Sequence, residues 1–268
     1  MTIGAHDVLL FDLDGVVYIG AAAVPGAVEA IESATAQGAR CIFVTNNASR
    51  TPAQVALHLR DLGIPAHDDD VITSSMAGAT LVAEHISGGN VLAIGGPGVG
   101  AALSERGFTP VSTFGPDVAA LMQGYGPAVG WADLAEATYA VRAGVPWIAT
   151  NLDATFPSPR GIAPGNGALV DVVARTAGRR PDAVAGKPEP ALLLEAIRRT
   201  GATAPLMIGD RLDTDIAAGS RLGIPTLLVC TGVASRLDGL AASGEERPTY
   251  LADDLACLLP NEAWVAVA

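Results

Sequence analysis

Two carboxylates, Asp12 and Asp14, stand one residue apart in Phe11-Asp12-Leu13-Asp14-Gly15-Val16-Val17-Tyr18, directly after the apolar run Val8-Leu9-Leu10. In an extended chain residues two apart face the same way, so the pair converges on one spot at the carboxyl end of a strand. Ligands of open α/β sheets bind at that end. Two such charges ~5 Å apart in an effective dielectric of about 20 repel by roughly 3 kcal/mol, so the pair needs a proton, a cation or both. A second strand, Leu206-Met207-Ile208, runs into Gly209-Asp210-Arg211-Leu212-Asp213-Thr214-Asp215 and loads another strand end with acids. More carboxylates worsen the repulsion, which makes a divalent cation the economical reading. Oxygen-only ligands favour a hard ion such as Mg²⁺, which keeps waters and bridges to substrate phosphate.

Positive charge is scarce and unevenly divided. Of 16 cationic residues, 15 are Arg and one is Lys: Lys187, in Gly186-Lys187-Pro188. A compact ammonium suits a place where a planar guanidinium does not fit, although a compositional bias against Lys would leave the same count. Thr45-Asn46-Asn47-Ala48-Ser49-Arg50 follows another strand. A hydroxyl and an amide there can hold phosphate oxygens with help from backbone N–H groups; an ordinary turn has the same composition.

These groups must be positioned by the surrounding elements. Short aliphatic or β-branched runs alternate with segments of helical period, which predicts parallel α/β architecture. Strands are expected at Val8 to Asp12, Arg40 to Thr45, Val91 to Gly95, Val118 to Gln123, Trp147 to Thr150, Leu206 to Gly209 and Thr226 to Cys230. Helices are expected from Pro25 to Gly38, Pro52 to about Gly63, Gly98 to Arg106, Trp131 to Arg142, Gly167 to Thr176, Pro188 to Thr200 and Thr214 to Leu222, with a last one within Tyr250 to Leu259. The middle hundred or so residues have the size of an inserted domain.

Composition narrows the function classes. The chain has 268 residues, half of them apolar, enough for a sizeable core. Its uncharged stretches, such as Val91 to Ser104, are broken by Gly and Pro before the ~20 apolar residues of a spanning helix are reached, so no membrane segment is expected. The start has neither a basic region nor a small-residue cleavage site, and Cys41, Cys230 and Cys257 are odd in number and far apart; both point to reduced thiols and the cytoplasm. A net charge of -12 without a basic run argues against nucleic acid as a partner.

Taken together and in order, FDLDGVVYIG, VTNNASRTP, AGKPEP and IGDRLDTD resemble the four motifs of the haloacid dehalogenase superfamily of phosphatases, in its nitrophenylphosphatase-like branch. That branch includes phosphatases of phosphoglycolate, pyridoxal phosphate and glycerol 3-phosphate. The resemblance implies a Rossmann-like parallel-sheet core with helices on both faces, formed by residues 1–75 and 185–268, and an inserted α/β cap at 76–184. It implies that Asp12 attacks phosphorus to give an aspartyl-phosphate, and that Asp14 protonates the leaving alkoxide and then activates water. Thr45 and Asn46 would hold the phosphoryl group with Lys187. Mg²⁺ would be held by the Asp12 carboxylate, the Asp14 main-chain carbonyl and Asp210, with Asp215 acting through water or outer bonds. A homodimer paired through the cap is also implied.

The loop Thr150 to Gly167 lies in the expected cap and carries Asn151, Asp153, Ser158 and Asn166 with one cation, Arg160. Asn151, Asp153 and Arg160 are therefore candidate substrate contacts. Hydrogen-bonding groups suit a polyol phosphate such as glycerol 3-phosphate, whereas a carboxylated substrate needs Arg160 aimed inward.

A rival reading comes from Gly96-Pro97-Gly98-Val99-Gly100-Ala101, which fits the G-x-G-x-x-A spacing of a dinucleotide-binding oxidoreductase after Val91-Leu92-Ala93-Ile94-Gly95, with Asp117 ~20 residues on where a ribose-binding acid would sit. Pro97 removes a donor inside that loop, and the acids at the other strand ends stay unexplained. A silent binding protein that keeps the fold is a second rival; the intact set of nucleophile, acid, Lys and metal ligand argues against it.

Overall fold

The computed structural model describes residues 3–158, 160–260, 262 and 264–267. The chain divides into two compact units, one of Met1–Thr45, Ala53–Ile72 and Lys187–Ala268, the other of Asn46–Pro52 and Thr73–Gly186. The segment carrying Asn46 thus groups by its contacts with the inserted block.

The first unit is built on a seven-stranded sheet in the order Val265–Ala266, Tyr250–Ala252, Thr226–Val229, Pro205–Gly209, Val8–Phe11, Arg40–Thr45 and Val71–Thr73. Pairings from Tyr250–Ala252 across to Arg40–Thr45 are parallel, and Val265–Ala266 adds an antiparallel edge. The three strands VLLF, PLMIG and TLLV are buried at every position, which is why they read as continuous apolar runs and not as alternations. On one face Leu9 and Phe11 pack with Ala30, Ile31, Val55 and Leu59 from the helices Ala27–Ala36 and Pro52–Asp61. The helix Ala191–Thr200 lies against Val8–Phe11 and Arg40–Thr45 through residues outside that cluster. Parallel pairing brings the ends at Phe11, Thr45, Gly209 and Val229 to one edge of the sheet, where the acids follow.

The second unit has its own parallel sheet, ordered Ala183–Val184, Trp147–Ala149, Val118–Gln123, Asn90–Ile94 and Thr109–Val111. Helices Ser74–His85, Pro97–Glu105, Trp131–Arg142 and Asn166–Ala177 accompany it. The expected loop from Thr150 to Gly167 contains an antiparallel hairpin, Thr155–Ser158 with Gly161–Pro164.

Two expectations are corrected, and one helix was not foreseen. Tyr250 to Leu259 is not a helix: Tyr250–Ala252 is a sheet strand in register with Leu227–Val229, and Leu255–Leu258 is a short 3₁₀ turn capped by Asp254. A brief apolar run cannot be assigned by periodicity alone, and the sheet partner decides. The segment expected as a helix from Thr214 starts earlier, as a wide π turn Leu212–Ile216 that leads into helix Ala217–Arg221. Helix Ser74–His85 escaped the pattern because Ser74 to Ala79 are all buried, leaving no polar stripe to mark a face.

Candidate active site

The first strand stops at Phe11, and the Asp12 N–H donates to the Ile208 carbonyl at 2.8 Å, tying it to the strand that ends before Asp210. The Asp12 carboxylate forms an ion pair with the Lys187 ammonium. On its other side Lys187 Nζ lies 2.8 Å from Asp215 Oδ1. The second Asp215 oxygen accepts from the Arg211 N–H at 3.1 Å. Lys187, Asp210 and Asp215 are buried at 3 %, 1 % and 1 % exposure, and oxygens of Asp12, Asp210 and Asp215 lie within 4.8 Å of one another.

Burial pushes the Asp12 carboxyl well above the usual carboxylate range; Lys187 opposes this, while Asp215 and Asp210 add to it. Burial works against the Lys187 charge, but Asp12 and Asp215 outweigh it and hold the ammonium above the usual lysine range. Asp210 is pushed up to about 6 by burial and then by Asp215, with the Val233 N–H pulling the other way. Three carboxylates and one ammonium leave the cluster two negative charges in excess when all are ionised. A divalent cation neutralises that excess. Asp210 Oδ1 is buried without a hydrogen-bond partner among the described residues, and the donors are all oxygen, so these residues fit Mg²⁺.

Asp14 is reached differently from the expectation. The period-two argument needs an extended strand through Asp14, but the backbone turns after Asp12: the Leu13 carbonyl accepts from the N–H groups of Val16, Val17 and Tyr18. Gly15 sits at φ +89°, and a Cβ there would lie 2.6 Å from Asp210 Oδ2, so both conformation and space require glycine. Asp14 is exposed, and its Oδ2 accepts from the Tyr18 hydroxyl at 3.4 Å.

Thr45 ends its strand, buried at 4 % exposure. In the second unit Asn46 is held from several sides. Its Nδ2 donates to both Asp153 oxygens at 3.3 and 3.1 Å, and its carbonyl accepts from Asn151 Nδ2 at 2.7 Å and Ser74 Oγ at 2.6 Å. Asn151 is fixed in turn: its Oδ1 accepts from the Asp153 N–H at 3.1 Å and its carbonyl from Asn166 Nδ2 at 2.8 Å. Two of the three candidate cap contacts, Asn151 and Asp153, therefore gather around Asn46. Arg160 stands exposed at the turn of the hairpin, its N–H donating to Ser158 Oγ at 3.3 Å.

The family model described as haloacid dehalogenase-like hydrolase matches residues 9–109, and one described as HAD-hydrolase-like matches residues 184–258. The D-glycerol 3-phosphate phosphatase of Mycobacterium tuberculosis is 43% identical over 264 residues, 98% of this chain and 74% of that protein. The chain belongs to the haloacid dehalogenase-like hydrolases. A crystal structure of glycerol phosphate phosphatase from the same organism, in complex with magnesium, superposes with a TM-score of 0.93 at 43% identity, covering 99% of this chain and 81% of that one. A thermostable NPPase from Geobacillus stearothermophilus, solved as a double mutant, gives 0.85 at 35% identity over 94% and 97%. Among the hydrolases of this family, the matches fall in the nitrophenylphosphatase-like branch.

Family membership leaves the glycine-rich loop to be explained. Strand Asn90–Ile94 and helix Pro97–Glu105 do flank it as a dinucleotide site requires. However, the Gly98 N–H donates to the Ser49 carbonyl at 3.1 Å and the Gly96 N–H to the Tyr125 carbonyl at 3.0 Å. A Cβ on Gly96 would lie 2.4 Å from the Ser49 carbonyl oxygen, and one on Gly98 2.4 Å from that of Arg50. The glycines make room for the chain's own Ser49–Arg50 backbone where the rival reading needs a pyrophosphate. Asp117 accepts from Asn90 Nδ2, a pairing at the start of the neighbouring strands Asn90–Ile94 and Val118–Gln123.

Sequence reasoning passed over Tyr18, Ser74 and the stretch Thr231 to Ala234, whose Val233 N–H donates to Asp210 Oδ2 at 2.7 Å. Thr231 and Gly232 follow strand Thr226–Val229, and the rule that ligands sit at carboxyl ends of parallel strands could have drawn attention to them.

Proposed function

We propose that this hydrolase cleaves a small phosphorylated polyol, glycerol 3-phosphate or a close analogue, with Asp12 as its nucleophile. The reaction class is Mg²⁺-dependent hydrolysis of phosphoric monoesters. The observation that carries the reading is Lys187 buried between Asp12 and Asp215 beside Asp210.

An Asp12 oxygen attacks phosphorus as the P–O ester bond breaks, and the proton of Asp14 goes to the leaving alkoxide. Water then attacks the phosphorus of the aspartyl-phosphate, Asp14 takes its proton, and phosphate leaves with Asp12 restored. Lys187 opposes the upward push of burial on Asp12 and offsets charge on the phosphoryl oxygens, which Thr45 and Asn46 hold. Asp215 positions Lys187. The Asp12 and Asp210 carboxylates and the Asp14 carbonyl would hold Mg²⁺, with Asp215 assisting through water; when bound, the ion supplies charge stabilisation for phosphoryl transfer.

For the substrate, the support is the anionic Asp153 against Asn46 and the exposed position of Arg160. Amide and carboxylate groups such as Asn151 and Asp153 suit the hydroxyls of a polyol, whereas a carboxylated substrate calls for a cation. In this reading residues 1–75 and 185–268 carry the chemistry, and 76–184 act as a cap that selects small substrates. We also place the enzyme in the cytoplasm, in keeping with its three free cysteines, and as a homodimer through the cap, in keeping with the exposure of Trp131 and Tyr139. Sedimentation at micromolar concentration checks the dimer.

The test is phosphate release with Mg²⁺ from a panel holding glycerol 3-phosphate, phosphoglycolate and pyridoxal phosphate, with Asp12→Asn in parallel. Glycerol 3-phosphate is expected to give the highest kcat/KM and the variant to be nearly inactive. Preference for phosphoglycolate or pyridoxal phosphate would replace the substrate; unchanged activity in Asp12→Asn, or activity persisting in excess chelator, would remove the mechanism.

A further inference from the structure

We infer that Thr231, with Gly232, is a positioning residue that sets the geometry of the Asp14 carbonyl and of Asp210 for the divalent cation. This rests on the magnesium reading above. Thr231 is remote in sequence from both groups and touches the apparatus at two points.

The first is Gly15. Thr231 Oγ1 donates to the Gly15 carbonyl at 2.6 Å, and the Gly15 N–H donates to the Tyr18 carbonyl at 2.8 Å. Both peptide planes that flank the most flexible residue of the motif are thereby fixed. Because a trans peptide is planar with N–H and C=O opposed, fixing the Gly15 N–H also aims the Asp14 carbonyl the other way. Without the hydroxyl, Gly15 has one anchor, and rotation about its left-handed φ would carry the Asp14 carbonyl with it.

The second point is Asp210. Gly232 presses on its carboxylate closely enough that a Cβ would lie 2.0 Å from Oδ2. The next residues grip it: the Val233 N–H donates to Oδ2 at 2.7 Å and the Ala234 N–H to the Asp210 carbonyl at 3.0 Å. Oδ2 is occupied by that bond and Oδ1 is left for the cation. One four-residue segment after strand Thr226–Val229 thus ties together two ligand groups that come from different strands. Outer partners of this kind commonly change metal affinity by about 10- to 100-fold when removed.

Isothermal titration of metal-free protein with MgCl₂ tests this without any turnover. Thr231→Val keeps the shape and deletes the donor; its Kd for Mg²⁺ is expected to rise about tenfold, and Thr231→Ser to return it to within about twofold of wild type. Gly232→Ala keeps the hydroxyl but crowds Asp210, and should weaken Mg²⁺ at least as much; it decides the matter should Thr231→Val not fold. Wild-type affinity in Thr231→Val or in Gly232→Ala, or failure of Ser to restore it, overturns the positioning role while leaving the site in place. No Mg²⁺ binding by wild type overturns the site reading and this inference together.

Discussion

The two units solve the problem of a buried polar cluster in opposite ways. Around Lys187 the first unit concentrates formal charge: Asp12 and Asp215 pair with the ammonium, Asp210 lies beside them, and the cluster carries two negative charges in excess when all are ionised. Around Asn46 the second unit uses amides, each donor matched to an acceptor through Asn151, Asn166, Ser74 and Asp153. A network whose donors are matched to acceptors is held in place. An unbalanced ionic cluster is the arrangement that can bind a cation and pass charge to a phosphoryl group.

The hardest blow to that contrast is removal of the one cation. Lys187→Met leaves two buried acids and the half-buried Asp12 facing each other, and breaking a buried pair costs about 3–5 kcal/mol. Phosphate release should fall by at least about 10³-fold, and Mg²⁺ should recover stability more than activity. Thermal unfolding with and without the ion, alongside steady-state rates, checks both parts. A variant that keeps a tenth of the activity would mean that the charge excess is not what drives the chemistry.

The charge imbalance also has a pH signature in metal-free protein. Asp210 is raised from its ordinary 3.8 to about 6, so its neutral form is the one the fold favours. Its contribution to stability is complete below about 3.8 and is lost as pH rises through about 6; the span corresponds to about 3 kcal/mol. Wild type in chelator should therefore lose stability relative to Asp210→Asn between pH 4 and 7, followed by thermal unfolding, and saturating Mg²⁺ should reverse the trend. Parallel pH curves for the two proteins would show that Asp210 is not held in this way.

How far the sequence disclosed these two clusters follows from their chemistry. Asp12, Lys187, Asp210 and Asp215 were legible because charged residues at the ends of apolar strands are costly and announce themselves. Strands such as Arg40–Thr45 and Val118–Gln123 were readable to the residue, being bounded runs of aliphatic side chains. The amide network was only half visible: Asn151 and Asp153 stood out by type, but nothing local said that they would close on Asn46, over a hundred positions away. Thr231 and Gly232 were silent, because a hydroxyl and a missing Cβ acquire meaning only from what lies against them. The same holds for the glycines at 96 and 98, whose spacing suggested a nucleotide and whose neighbours are the chain's own backbone.

Within the amide network the informative change is Asp153→Asn, which keeps the size of the side chain and removes its charge. If that charge excludes carboxylated substrates, the ratio of kcat/KM for glycerol 3-phosphate over phosphoglycolate should fall about tenfold, or about 1.4 kcal/mol, a part of the roughly 4 kcal/mol between like charges ~4 Å apart in an effective dielectric of about 20. Most of the change should appear in KM for phosphoglycolate. An unaltered ratio would confine Asp153 to holding Asn46 and move selectivity elsewhere in the second unit.

The smallest effect is expected at Arg160, and its smallness is the point. It is exposed at the hairpin turn, where a single guanidinium facing water contributes little. Arg160→Ala should leave kcat/KM for glycerol 3-phosphate within about twofold, because truncation there removes no buried contact. The same variant assayed on phosphoglycolate sharpens the comparison: a carboxylate-binding Arg160 predicts a selective loss with that substrate alone. Equal, minor changes on both would place the hairpin turn outside recognition.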